Sequence, residues 1–116
     1  MYQVIKRDGK IVDFDISKIS AVITKAFDAQ EMPIHPNVIH FLALKVTADF
    51  APKIKDDLIA VESIQDSVES VLVQAGYADV AKAFILYRKQ REKLRNMKST
   101  ILDYKETVNN YVNLND

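Results

Sequence analysis

The stretch QVIKRDGKIVDFDISKI, residues 3–19, decides how this chain begins and what must cover it. Two short strand-like runs, Gln3 to Arg7 and Ile11 to Phe14, flank Asp8-Gly9, a dipeptide favoured in tight hairpin turns because glycine tolerates positive φ. Asp15 stands where a helix N-cap belongs, and Ile16, Ile19, Ile23, Ala26 and Phe27 then recur at helical spacing, which predicts a first helix to about Asp28. A hairpin this short cannot bury its own face, so it must lie as a lid on the helices that follow.

Working outward, Gln30 to His35 contains Pro33 and reads as a loop. Pro36 suits the first turn of a second helix, whose apolar face Ile39, Leu42, Ala43, Val46 and Phe50 is closed off by Pro52. Lys53 to Asp57 is a polar connector, and Leu58-Ile59-Ala60 has the composition of a short third strand. A third helix carries Val61, Ile64, Val68, Val71, Leu72 and Ala75 on one face and meets Gly76 as its stop. From Ala78 the helical pattern resumes through Val80, Ala81, Phe84, Ile85 and Tyr87 and turns basic. Ser99-Thr100, with Asp103 placed as in a capping box, predicts a fresh start for a last helix through Tyr104, Val108 and Val112. Asn113 to Asp116 carry no closing signal, so the chain is expected to continue in a longer protein. The predicted class is mainly α, of the α+β kind: a four-helix bundle capped by a small N-terminal hairpin or three-stranded sheet, with a C-terminal helical extension. A lid over the end of a bundle makes a pocket.

The 116 residues fit one domain, and a hydrophobic content of 48% is enough for a core. Sixteen Lys and Arg balance sixteen Asp and Glu, so no global field points to a nucleic-acid or membrane partner, and any basic site must be local. With no cysteine there is no disulfide framework, thiolate metal site or thiol nucleophile among these residues. The start lacks the regions of a signal peptide and no apolar run approaches membrane-spanning length, so a cytoplasmic location is expected.

Two basic constellations stand out. Lys6 and Arg7 adjoin the hairpin turn, where a twist or bulge can aim one of them inward. Lys18 lies in the first turn of the first helix, where free N–H groups and the helix dipole favour an anion. Together these would cradle phosphate; composition alone fits a solvated basic hairpin better. The second constellation is Tyr87-Arg88-Lys89-Gln90-Arg91. Arg88, Arg91 and Arg95 fall at i, i+3 and i+7, three guanidinium groups along one helical face that could grip a polyphosphate. An exposed basic helix end is the simpler reading. His35 and His40 have no acid or thiolate at ligand spacing, so loop and core roles are expected and no metal. Glu62, Asp66 and Glu69 read as a solvent-side stripe, and neither Ser63 nor Ser67 has a histidine partner. The two glycines, Gly9 and Gly76, form no phosphate loop or dinucleotide fingerprint, and no catalytic residue is assigned.

Read together, VIKRDGKIVDFDISKI (residues 4–19) and VAKAFILYRKQR (80–91) resemble the two signature stretches of the ATP-cone family, and VESIQDSVESVLVQAGYADVAKA (61–83) is similar to its third-helix region. The resemblance implies a four-helix bundle under a three-stranded sheet, in a domain of residues 1–96, and a regulatory module that is not itself an enzyme. It implies ATP as activating and dATP as inhibiting ligand, with or without Mg2+, at a site formed by Val4, Ile5, Lys6, Arg7, Asp15, Lys18, Ile19, Gln65 and Arg91, with Tyr87 and Arg88 as neighbours. Val12 stands where some relatives have an acid, Val61 where they have a hydroxyl and Gln65 where they have a histidine; one or two nucleotides per cone both stay open.

The tail LRNMKSTILDYKETVNNYVNLND (94–116) resembles the segment joining a cone to the catalytic domain in anaerobic, glycyl-radical ribonucleoside-triphosphate reductases. Residues 97–116 are then a linker toward that domain. The partners implied are adenine nucleotides, the catalytic domain of the same polypeptide and, under nucleotide control, further copies of the chain. The alternatives are a cone from an aerobic reductase large subunit or from a nucleotide-responsive repressor, and a helical interaction module that binds no nucleotide.

Overall fold

The computed structural model describes the backbone of residues 2–115 and the side chains of residues 2–97. Strands β1 (Gln3–Ile5) and β2 (Ile11–Asp13) pair antiparallel, with Val4 opposite Val12. Both are shorter than the sequence suggests, because the turn is larger than an Asp8-Gly9 dipeptide. The Lys6 N–H donates to the Lys10 carbonyl at 2.8 Å, the Gly9 N–H donates to the Lys6 carbonyl at 2.9 Å, and Gly9 takes φ 86°. Arg7, Asp8 and Gly9 thus form a three-residue loop with a left-handed glycine, which takes Arg7 out of the strand.

Asp15 caps α1 (Ile16–Ala29): its Oδ1 accepts from the Ser17 N–H at 2.9 Å and from the Ser17 hydroxyl at 2.6 Å. Ile19, Ile23, Ala26 and Phe27 are the buried face. Helix α2 (Pro36–Phe50) is capped by His35, whose Nδ1 accepts from the Asn37 N–H at 3.0 Å, a role more specific than the loop or core place expected for it. His40 is exposed. After one 3-10 turn (Ala51–Lys53), β3 (Leu58–Ala60) pairs parallel to β1, giving the sheet order β2-β1-β3.

Helix α3 (Val61–Gln74) ends as predicted at Gly76, φ 91°, where the Tyr77 N–H reaches the Leu72 carbonyl at 2.9 Å and the Gly76 N–H reaches Val73 at 3.1 Å, the paired bonds of a Schellman stop. Ala75, expected on the apolar face, is the C-cap and exposed. Helix α4 runs from Ala78 to Asn115 without the break expected at Ser99-Thr100. Neither Gly nor Pro interrupts this stretch, and serine and threonine are tolerated inside a helix whose flanks are good formers. The Thr100–Asp103 capping box lies outside the residues whose side chains are described.

The chain divides into two compact units, Met1–Ile85 and Leu86–Asp116. The core of the first is built on Ile23, Phe27, Val46, Phe50, Leu72, Val80 and Phe84, all at most 1% exposed. The sheet is fastened by an aromatic trio that sequence periodicity did not reveal: Tyr2 and Phe14 lie 4.7 Å apart by ring centroid, and both meet Phe50 of α2, at 6.0 and 5.7 Å. Burial pushes the Tyr2 phenol pKa up. The second unit is the helical stretch of α4 from Leu86 on. Among the described residues no helix is long and apolar enough to cross a membrane.

Candidate functional site

Strand directions sort the candidate residues to two ends of the sheet. Gln3 is opposite Asp13 and so adjoins the start of α1, whereas Ile5 is opposite Ile11 and, on its other side, Ala60, the residue that opens α3. Lys6 and Arg7 therefore emerge beside the N-terminus of α3, and Asp15 and Lys18 belong to the other end. The two ends are close, since a strand of three residues spans only about 7 Å between its first and last Cα.

Arg7 is the best-defined member. Its NH2 group donates to Gln65 Oε1 at 2.7 Å, and its Nε lies 3.6 Å from a Glu62 carboxylate oxygen. Both partners come from α3 and are three residues apart, on one face of the helix. The Arg7 side chain is 27% exposed and that of Glu62 46%, so the guanidinium is partly sheltered while its acidic partner is freer. Gln65, singled out by family resemblance, is thus joined directly to a phosphate candidate 58 residues away. Glu62 keeps nearly half of its side chain exposed, as its solvent-side stripe implies, while also facing Arg7; Asp66, in the same stripe, is exposed.

The start of α3 adds a feature that was missed. Ala60 occupies the N-cap and offers no side-chain bond, so no side chain caps the first N–H groups of the helix beside Lys6 and Arg7. The signal was present in the sequence, as an alanine where Ser, Thr, Asp or Asn normally stands. Uncapped N–H groups, a positive dipole end and two cations form the donor set that suits a phosphate chain.

At the other end, hydrogen bonds from the Ser17 hydroxyl and N–H, with the nearby Lys18 charge, hold the Asp15 carboxyl below its ordinary pKa of 3.8. Lys18 is exposed in the first turn of α1, its own N–H donating to the Asp15 carbonyl at 3.2 Å. Val4 and Ile19 are buried and Ile5 is half-buried, which supplies aliphatic surface along the central strand and α1. Tyr87 and Arg88 are half-buried and Arg91 is exposed; all three lie in the second unit.

Known proteins resemble this chain over most of its length. The model of the ATP cone domain matches residues 2–93. Relatives include a ribonucleoside-diphosphate reductase subunit alpha of Chlamydia pneumoniae, 40% identical over 98 residues that cover 79% of this chain and 9% of the relative. A vitamin B12-dependent ribonucleoside-diphosphate reductase of Mycobacterium tuberculosis is 38% identical over 96 residues, 83% of this chain and 13% of the relative. An anaerobic ribonucleoside-triphosphate reductase of Haemophilus influenzae is 31% identical over 100 residues, 86% of this chain and 14% of the relative. The chain therefore spans 9 to 14% of the length of these relatives, and identity is higher to the two diphosphate reductases than to the anaerobic enzyme. The matched span takes in the hairpin, all three strands, the Arg7–Gln65 pair and both signature stretches, and on that ground the chain belongs to the ATP-cone domain family.

Proposed function

We propose that this domain is the adenine-nucleotide sensor of a ribonucleotide reductase, binding ATP as activator and dATP as inhibitor and passing the difference to a catalytic domain in the same polypeptide through residues 97–116. The observation that carries the reading is the partly sheltered Arg7 guanidinium, aimed at α3 beside an uncapped helix start. In this reading Lys6, Arg7 and Lys18 hold phosphates, and Arg91, with Tyr87 and Arg88 as its neighbours, is proposed as a nucleotide ligand on family likeness alone. Val4, Ile5 and Ile19 lie against the base, and Asp15 and Gln65 stand near the ribose. Where two effectors differ by one hydroxyl, they regulate only by stabilising different conformations or assemblies, because equal affinity for both states shifts nothing. Nucleotide-dependent self-association is the readout expected of such a domain.

Calorimetric titration with ATP, dATP and CTP tests the reading. ATP and dATP bind and CTP does not; comparable heats for CTP and ATP overturn the adenine assignment. Charge-assisted hydrogen bonds contribute about 1.5–3 kcal/mol each, so Arg7→Ala and Arg91→Ala each weaken ATP binding by about one to two powers of ten, while Lys53→Ala binds like the parent. Two observations pull the parent enzyme in different directions: the tail and the Haemophilus influenzae match favour an anaerobic triphosphate reductase, and the higher identities favour a diphosphate reductase. Assaying the full-length enzyme with ribonucleoside di- and triphosphates, with and without oxygen, separates them.

A further inference from the structure

The geometry points to Glu62 as a built-in competitor for the nucleotide's phosphate: a carboxylate that occupies Arg7 in the ligand-free domain and has to release it when nucleotide binds. The inference rests on the proposal that Arg7 is a phosphate ligand, and adds a residue outside the set of nucleotide-binding positions that the family resemblance implies.

The guanidinium turns two of its nitrogens, Nη2 and Nε, toward α3. Its NH2 meets the neutral amide oxygen of Gln65 at 2.7 Å, and its Nε faces the Glu62 carboxylate at 3.6 Å. A phosphate arriving at Arg7 competes for the same delocalised positive charge and N–H donors, and of the two acceptors only Glu62, being anionic, repels it. Gln65 can keep its bond, since a guanidinium has five N–H donors and an amide oxygen bears no charge. Glu62 is able to yield, being the more exposed partner, 46% against 27%, in a pair whose separation is longer than a charge-assisted hydrogen bond. It is also held near the site when displaced, because a carboxylate in the first turn of a helix is favoured by the dipole there. The same position that stabilises α3 therefore leaves a negative charge where phosphate is to be received. Glu62 sets the affinity downward and keeps Arg7 directed at α3 until ligand takes it.

The experiment compares the parent domain, Glu62→Gln, Arg7→Ala and the double variant by calorimetry with ATP and with inorganic tripolyphosphate. Asp28→Asn, at the far end of α1, serves as the charge control. Partly exposed ion pairs of this kind are modest, so Glu62→Gln is expected to tighten ATP binding by about two- to fivefold, with tripolyphosphate showing the same direction. Asp28→Asn leaves both unchanged. In the Arg7→Ala background the gain from Glu62→Gln disappears, because there is no guanidinium left to contest. Unchanged or weaker binding by Glu62→Gln, in a parent that binds ATP, overturns the inference and leaves the nucleotide-sensor reading standing. A gain that persists undiminished without Arg7 overturns it also, since Glu62 then acts by general repulsion. A parent that binds neither ligand removes the sensor reading and this inference with it.

Discussion

Ser67 is a serine on the buried face of α3, 1% exposed, with a hydroxyl that meets no hydrogen-bond partner. A buried polar atom left unpaired costs about 1–3 kcal/mol in desolvation, whereas the methyl group of alanine would cost nothing of the kind. Ser67→Ala is therefore expected to raise stability by about 1 kcal/mol in urea denaturation, and a clear loss would mean that the hydroxyl has a partner when the protein is in solution. Asp15 makes the opposite case, a polar side chain fully used. Its folded pKa lies below the ordinary 3.8, so its stabilisation is complete above that value and is lost as pH falls through the lower, folded value. Asp15→Asn keeps a cap acceptor but does not titrate. The melting temperature of the parent should exceed that of the variant near neutral pH, and the two should converge in acid. A gap that stays constant with pH would refute the assignment.

At the scale of elements, the hairpin depends on the Tyr2–Phe14–Phe50 trio for its hold on α2. Aromatic pairs contribute about 0.5–1.5 kcal/mol each beyond area burial, and Phe14 makes two of them. Phe14→Ala is expected to lower stability by about 1–3 kcal/mol and to weaken ATP binding as well, because the strand that leads into Lys6 and Arg7 loses its anchor; Phe14→Leu, which keeps apolar volume, loses less of both. Calorimetry beside urea denaturation reads the two effects, and unaltered ATP affinity in the alanine variant would separate the hairpin anchor from the site. Elements were legible where their signals are local. Asp15 two residues before Ser17, Pro36 at a first turn and Gly76 after an apolar face each mark a boundary within one turn of chain, and the structure keeps all three. His35 could have been read in the same way, since the residue before a proline at the first helical position is the cap. The expected break at Ser99-Thr100 failed because a capping motif is only permissive: nothing there forbids helix on either side.

For the molecule as a whole, the least legible facts were those joining distant residues. No periodicity pairs Arg7 with Gln65 and Glu62, or brings Tyr2 to Phe50, because such contacts are decided by how the helices pack and not by any one segment's spacing. The family resemblance supplied Gln65 as a site residue; only the fold says what it holds. The fold also explains why the basic loop faces α3: β3 ends at Ala60 beside Ile5, so the helix begins where the first strand gives way to the turn.

That parallel pairing of residues 3–5 with 58–60 bears on the order in which the domain assembles. Parallel strands cannot be joined by a tight turn, and here the whole of α1 and α2 lies between them. Contacts so far apart in sequence close late, after local helices have formed, and regions held by few contacts are the ones that open first in the native state. The helical core can thus be in place before β1 docks, and the loop of Lys6 and Arg7 joins it with that late pairing. A ligand that bridges the loop and the start of α3 would act as a latch on that late step, slowing local opening of the sheet far more than unfolding of the helices beneath it.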